Sequence, residues 1–127
     1  MFKDSAAFSG FSVDDLEQAQ TFYADTLGLD VTRDDARGGM LTLKLGGGGS
    51  VLVYGKPDHT PATFTILNFP VPDVVAAVDQ LTAGGVQMLR YQGFSQDDKG
   101  IMRGEGPDIA WFADPAGNVL SVIGENS

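Results

Sequence analysis

The sequence predicts a single α+β domain built from two copies of a strand–helix–strands unit. In each half, a short alternating stretch typical of a strand is followed by apolar residues at helical spacing. The first half begins this pattern with Phe11 to Leu16, and the second half repeats it with Phe69 to Val74. A glycine follows each helical stretch, at Gly28 and at Gly84, and glycine is the residue that most often ends a helix.

Composition and charge restrict the possible partners. Hydrophobic residues make up 43% and charged residues 20% of the 127 residues, which is enough for a packed core in one domain. The absence of cysteine excludes disulfides and thiolate metal sites and suits a reducing, cytoplasmic location. A formal net charge of -9 repels phosphate backbones and anionic lipids, and no apolar run approaches the thickness of a bilayer. We therefore expect neither nucleic acid nor membranes as partners.

The first repeat unit, at about residues 5–56, contains one helix and at least three strands. Asp14 or Asp15 can cap a helix that runs to Leu27, because a side-chain carboxylate accepts from the first free backbone N–H groups. Clean alternation predicts strands at 40–45 and 51–54. The glycine-rich stretch between them is interpreted as a hairpin loop and not as a phosphate site, because no helix and no P-loop lysine follow it.

The second repeat unit, at about residues 62–127, has the same order of elements. A helix is predicted from Asp73 to Ala83, and two late strands at 109–112 and 119–123 are joined by a turn that contains Pro115 and Gly117. The stretch 91–108 is rich in glycine and charge and too long for a plain turn, so we expect it to cover another part of the protein.

Two segments carry a family resemblance. Val13 to Ala19, followed by Phe22-Tyr23 and Leu27 to Leu29, resembles the first-half signature of the vicinal oxygen chelate superfamily, and Phe112 to Asn118 is similar to its closing signature. That superfamily includes glyoxalase I, bleomycin-resistance proteins, fosfomycin-resistance enzymes and ring-cleaving dioxygenases. The resemblance covers nearly the whole chain. It implies a pair of βαβββ units whose mixed sheets curl around a cup, with the helices outside.

The resemblance also implies where a metal would be bound. In the enzymes of the superfamily, a divalent metal in the cup is held by His, Glu or Gln and binds two neighbouring substrate oxygens. Carried over one position at a time, these ligand positions fall on Phe8, Val53, Ile66 and Ser121. The first three have no lone pair to offer, and serine is a poor ligand at neutral pH. We therefore predict that the protein has no metal site and no other cofactor.

Strand alternation sorts the side chains into two faces and predicts a lining for the cup. Phe11, Val13, Leu41 and Leu43 are expected to face the helix. The residues expected to face the cup or its mouth, and so to bind a ligand, are Phe8, Thr42, Val53, His59, Ile66, Asn68, Arg103, Trp111 and Ser121. Such a mostly apolar lining with one large aromatic side chain is typical of a small-molecule pocket.

Each of these assignments has a simpler alternative. The lining residues could instead fill a core without a pocket. His59, the only histidine, could be a surface or packing residue, and Arg103 could belong to a solvated charged face. The sequence assigns no catalytic residue and no nucleophile–base pair.

Three functional hypotheses follow from the sequence. The first is a metal-free homodimer that binds a small apolar or aromatic molecule, resembling the bleomycin-resistance branch in acting by sequestration or carriage. The second is a lyase or dioxygenase of the same superfamily with an atypical metal site or none. The third is a structural or regulatory protein whose cup is closed. The sequence leaves open whether the protein is an enzyme.

Overall fold

A computed structural model describes residues 1–104 and 106–125, without the side chain of Arg37. The chain divides into two compact units, Met1–Thr60 and Pro61–Ser127. The division falls inside the stretch 55–62, where Pro57 and Pro61 interrupt the regular pattern. The fold class is α+β, with one helical segment and one sheet in each unit.

The first unit has the order βαβββ that the resemblance implies. The elements are β1 (Ser9–Val13), α1 (Leu16–Thr21) continued by a π-helical stretch (Phe22–Thr26), β2 (Asp30–Asp34), a 3₁₀ turn (Ala36–Gly38), β3 (Met40–Lys44) and β4 (Ser50–Gly55). The strands form one mixed sheet in the order β1-β4-β3-β2, in which β1 runs parallel to β4 and the other pairs are antiparallel.

The helical segment of the first unit begins and ends close to the predicted residues. Asp15, and not Asp14, is the N-cap, and its carboxylate accepts from the backbone N–H of Gln18 at 3.0 Å. The segment widens into a π-helix, so that the N–H of Leu27 donates to the carbonyl of Phe22 at 2.9 Å. Gly28 follows with a φ of 74°, a conformation that is costly for residues with a side chain.

Apolar side chains on one face of the first-unit sheet form its core. Val13, Leu41, Leu43 and Val53 are each 0% exposed. The ring of Phe11, on the same face, lies 5.8 Å from that of Tyr23 in the helical segment. The predicted division into a helix-facing row and an opposite row is therefore confirmed for β1 and β3.

The second unit has three full strands around one helix. The elements are β5 (Thr65–Val71), α2 (Val74–Ala83), β6 (Ile109–Ala113) and β7 (Val119–Gly124). They form a sheet in the order β5-β7-β6, with β5 parallel to β7 and β6 antiparallel to it. Asp73, the residue at which the predicted helix begins, caps α2 by accepting from the N–H of Ala76 at 3.1 Å.

The fourth strand expected in the second unit is reduced to an isolated bridge. Met88 pairs with Phe112 of β6 at this bridge, and the N–H of Leu89 donates to the carbonyl of Trp111 at 2.8 Å. The chain then turns at Tyr91–Phe94, where Gly93 has a φ of 90°. The βαβββ order implied for this unit is therefore corrected, because the turn ends the pairing after one residue pair.

The helices of both units are short. No helix in the described ranges 1–104 and 106–125 is both long enough and apolar enough to cross a membrane.

Candidate functional site

Three residues expected in the cup lie side by side on three neighbouring strands of the second unit. Trp111 is directly opposite Ser121, and Asn68 is in register with Ser121 on the other side. The Oγ of Ser121 donates to Oδ1 of Asn68 at 2.5 Å. In-register residues share a sheet face, so these three side chains define one surface, which we call the helix-free face of the second-unit sheet.

The opposite face of this sheet carries α2. Gly124 of β7 alternates with Ser121 onto that opposite face, and a Cβ atom built on it would lie 3.8 Å from the Cγ2 of Val74 in α2. Phe112 and Leu120, which pair with each other, are 0% exposed on this side. The indole of Trp111 therefore points away from the helix, as alternation predicts.

An aromatic cluster of Tyr91, Phe94 and Trp111 covers the helix-free face. The ring of Tyr91 meets the indole edge to face, with centroids 5.4 Å apart at 87°, and the ring of Phe94 lies 5.4 Å from the indole at 43°. Trp111 is only 8% exposed, whereas Phe94 is 49% exposed. Burial raises the pKa of the Tyr91 phenol above its usual value of 10.0. The stretch 91–108 thus covers another part of the protein, as its length and composition predict.

Gln96 fixes the base of the turn that carries Phe94. Its Oε1 accepts from the backbone N–H of Tyr91 at 2.8 Å, and its Nε2 donates to the carbonyls of Leu89 at 3.0 Å and Gly100 at 2.8 Å. Tyr91 is therefore held at the base, and Phe94 lies at the tip. Sequence patterns did not indicate a role for Tyr91, Phe94 or Gln96. The only available signal was the presence of two aromatic residues in a loop that was expected to cover something.

Arg103 is held by carboxylates. Its Nη1 pairs with Oδ2 of Asp97, and its Nε lies 3.7 Å from Oδ2 of Asp108. The hydrogen bond that Arg103 donates to the Asp97 carboxylate raises the pKa of Arg103 above its usual value. This arrangement fits the charged-face interpretation of Arg103, because two carboxylates already balance its guanidinium.

His59 contacts the first-unit sheet. Its Nδ1 lies 2.6 Å from the Oγ of Ser12, which alternates away from the helix-facing residues Phe11 and Val13. Thr42 lies on the same helix-free face of this sheet, because it pairs with Leu52, which is also in register with Gly10. The position of Thr42 agrees with the alternation of side chains that the sequence predicts. Ligand binding by Thr42 and His59 stays a prediction.

The prediction that Val53 faces the cup is wrong. Val53 is in register with Phe11 and with Leu41, both on the helix side, and it is 0% exposed. Leu52 takes the helix-free position instead. The error is one residue in the alignment of the two hairpins, and a shift of one residue moves a side chain to the other face.

Two further positions are not assigned to a face by register. Phe8 precedes β1 and is 67% exposed. Ile66 lies at a register shift between Thr65 and Leu67, where alternation along the strand is interrupted.

The residues at the metal positions do not fit a metal ion. Phe8, Val53 and Ile66 have no donor atoms in their side chains, and neither has Leu52, which takes the helix-free position expected for Val53. The hydroxyl of Ser121 is engaged with Asn68. Within residues 1–104 and 106–125, no group of three or more His, Asp or Glu side chains could hold a metal ion. The divalent cations of the superfamily's enzymes prefer imidazole and carboxylate ligands, so we derive no metal-assisted step for this chain.

The fold and the sequence pattern together define the family. The family model for the Glyoxalase/Bleomycin resistance protein/Dioxygenase superfamily matches residues 7–122. The chain therefore belongs to this superfamily, as the two signatures predict.

Solved structures share the fold over almost the whole chain. An antibiotic-binding protein from Streptomyces sp. CB03234, TnmS3, is 23% identical with a TM-score of 0.73, covering 98% of each chain. A superfamily member from Sphaerobacter thermophilus DSM 20745 is 22% identical with a TM-score of 0.73, covering 98% of this chain and 100% of the other. A glyoxalase/bleomycin resistance protein from Streptomyces sp. CB03234 is 25% identical with a TM-score of 0.63, covering 92% and 99%. No curated protein matches the sequence.

Proposed function

We propose that this protein binds a planar aromatic or otherwise largely apolar small molecule against Trp111, and that it acts by sequestration or carriage. The observation that carries the proposal is the aromatic cluster of Tyr91, Phe94 and Trp111. An indole offers a broad stacking surface, and offset or edge-to-face ring pairs add about 1 kcal/mol beyond the area that they bury. The half-exposed ring of Phe94 at the tip of its turn is the part of the cluster that an incoming ligand meets first.

Polar groups beside the indole would orient the ligand. Ser121 donates to the side-chain oxygen of Asn68, which directs the amide NH₂ of Asn68 to other acceptors. A carbonyl or ring nitrogen at the edge of a flat ligand is such an acceptor. The combination of an apolar wall and a few placed polar groups is typical of small-molecule sites.

The similarity to TnmS3 supports a binding role. That structure is described as an antibiotic-binding protein, and it shares the fold of this chain at 23% identity. In our proposal the whole chain is one domain, and the protein is a cytoplasmic homodimer that holds its ligand without a metal or another cofactor.

The alternative is a lyase or dioxygenase of the same superfamily. It requires electron-pair donors at positions where this chain has Phe8, Ile66 and, on the helix-free face of β4, Leu52. Elemental analysis of protein purified without added metal separates the two hypotheses. Near-stoichiometric zinc, nickel, iron or manganese would contradict the metal-free proposal.

The Trp111→Ala variant tests the binding site. We expect phenazine, a neutral planar tricycle, to bind saturably and to quench tryptophan fluorescence in the wild type. Loss of the stacking surface should weaken binding by roughly tenfold or more, measured by calorimetry. Trp111→Phe is the matched variant that retains a ring, and it should lose less affinity than Trp111→Ala.

Stability measurements keep this test decisive. Thermal unfolding of each variant shows whether the alanine variant is folded at the temperature of the titration. A folded Trp111→Ala variant that binds phenazine as tightly as the wild type would overturn the proposal. A wild type that binds phenazine without any change in its tryptophan fluorescence would also count against it.

A further inference from the structure

A groove in the second unit lies between α2 and the turn at residues 97–100. Its volume is about 450 Å³, within the range of small-molecule sites. Val78 of α2 is 1% exposed and Val86 is 8% exposed, and together with Met88 they give the groove an apolar floor. Asn68, Trp111 and Ser121 are not among its lining residues, so it is separate from the helix-free face.

Two contacts hold the turn against the rest of the unit. The Nζ of Lys99 lies 2.5 Å from Oδ1 of Asp79 in α2. The Nη2 of Arg90 donates to the backbone carbonyl of Asp97 at 2.6 Å. Both walls of the groove are therefore fixed before any ligand arrives, which lowers the cost of ordering them on binding.

Arg90 differs from the other cationic side chains of this unit in the group that it contacts. Residues 61–127 contain eight carboxylate side chains but only three cationic ones, at Arg90, Lys99 and Arg103. Lys99 and Arg103 are paired with carboxylates. In the part of the chain that the structure describes, Arg90 has no carboxylate oxygen within 4.0 Å and donates to a backbone carbonyl instead.

The apolar floor of the groove and the guanidinium of Arg90 together specify the kind of ligand that the groove would take. A guanidinium has five N–H donors in a planar fork that matches a carboxylate. One of these donors in Arg90 is used by the carbonyl of Asp97, which also fixes the orientation of the group. The apolar floor beside it favours a hydrocarbon body, and the flexible side chain of Met88 can adapt to its shape.

We propose that this groove is a binding site for a small organic carboxylate. The carboxylate would accept from Arg90, and the apolar body would lie against Val78, Val86 and Met88. The site is independent of ligand binding at Trp111, because no residue is shared between them.

Titration with 2-naphthoate, followed by NMR of the methyl groups, tests this proposal. We expect saturable shifts at the methyls of Val78, Val86 and Met88 in the wild type. Arg90→Gln should weaken this binding by roughly tenfold or more, because it removes a charge-assisted hydrogen bond. The neutral analogue 2-naphthalenemethanol should bind the wild type weakly, with an affinity that Arg90→Gln does not change.

Lys56→Gln is the matched control. It removes a positive charge from an exposed side chain of the first unit, so it should leave the affinity for 2-naphthoate unchanged. Equal affinity in the wild type and Arg90→Gln, or no saturable shift at the three groove residues, would overturn the proposal. Shifts at these methyls that depend on protein concentration without 2-naphthoate would overturn it too, by assigning the groove to a second copy of the chain. Phenazine binding reports on Trp111 and 2-naphthoate on Arg90, so the two proposals fail separately.

Discussion

Asp97 organises the long loop between α2 and β6. Its Oδ1 accepts from the backbone N–H groups of Lys99 and Ile101, both at 2.9 Å, and its Oδ2 pairs with Arg103. Ile101 is 1% exposed, so the carboxylate holds the backbone where this side chain enters the core. One acidic residue thus fixes the backbone of the loop at residues 97–101.

The stability contributed by Asp97 depends on pH. Burial acts to raise the pKa of this carboxyl group, but the hydrogen bonds from Ile101, Arg103 and Lys99 outweigh it and hold the pKa below 3.8. A carboxyl group with a depressed folded-state pKa stabilises the fold fully above its unfolded pKa. That contribution is lost as the pH falls through the folded-state pKa.

We expect Asp97→Asn to lower the free energy of unfolding by about 1 kcal/mol at pH 7, because it removes a charge-assisted interaction on a partly exposed group. The difference between wild type and variant should shrink as the pH falls below about 4. Urea unfolding across this pH range measures it, with Asp98→Asn as the neighbouring control. A difference that stays constant down to the most acidic pH would contradict the assignment.

Local sequence was sufficient to predict the role or orientation of some residues but not of others. Asp15 as one of two candidate caps and Trp111 as a side chain facing away from the helix follow from short-range rules, namely capping chemistry and a period of two. The face of Val53 depends on the register of β1 against β4, strands that are far apart in the sequence. The contact of Phe94 with Trp111 depends on the path of a loop, and no period in the sequence encodes that path.

At the scale of secondary structure, the passage from the 3₁₀ turn into β3 depends on Gly39. This residue has a φ of 96°, and a Cβ atom at this position would lie 2.8 Å from Cδ2 of Leu16 in α1. The helix and the strand therefore approach closely at a point where the backbone also takes a left-handed conformation. Neither requirement was visible in the sequence, where Gly38-Gly39 reads only as a break before a strand.

Gly39→Ala should destabilise the protein by about 1–3 kcal/mol, because alanine is strained at this φ and its methyl group crowds Leu16. Gly47→Ala is the matched control, since no atom lies within 4 Å of a Cβ built there. Denaturant unfolding of both variants gives the comparison. Equal stability of the two variants would show that the close approach at Gly39 relaxes without cost.

The helices were predictable because each has an apolar period and a capping residue. The main strands were predictable from their apolar, alternating residues. The shortening of the fourth strand to a bridge at Met88 was not predictable. The end of a strand depends on whether the residues that follow stay beside the neighbouring strand. The turn at Tyr91–Phe94 takes the chain away from β6 at that point. The loop that results carries Tyr91 and Phe94 of the aromatic cluster and forms one wall of the Arg90 groove, so the least regular segment contributes to both proposed sites.

At the scale of the whole molecule, apolar side chains lie exposed beside the end strands of both sheets. Phe8 precedes β1 and is 67% exposed, and Phe64 precedes β5 and is 69% exposed. Each of these strands is at the end of its own sheet. Exposed apolar side chains at strand edges favour association unless something covers them. A two-fold dimer of identical chains is the commonest way to cover them.

We therefore predict a homodimer that depends on these two phenylalanines. Light scattering coupled to size exclusion should give twice the 13.4 kDa mass of the chain for the wild type. Phe8→Ser combined with Phe64→Ser should shift the protein to the monomer mass, because a polar side chain at each position removes the apolar area that association would bury. Val75→Ser is the control, since Val75 is 36% exposed and belongs to α2 and not to either of these strands. A wild type that remains monomeric at high protein concentration would contradict the prediction, and so would a double variant that remains dimeric while folded.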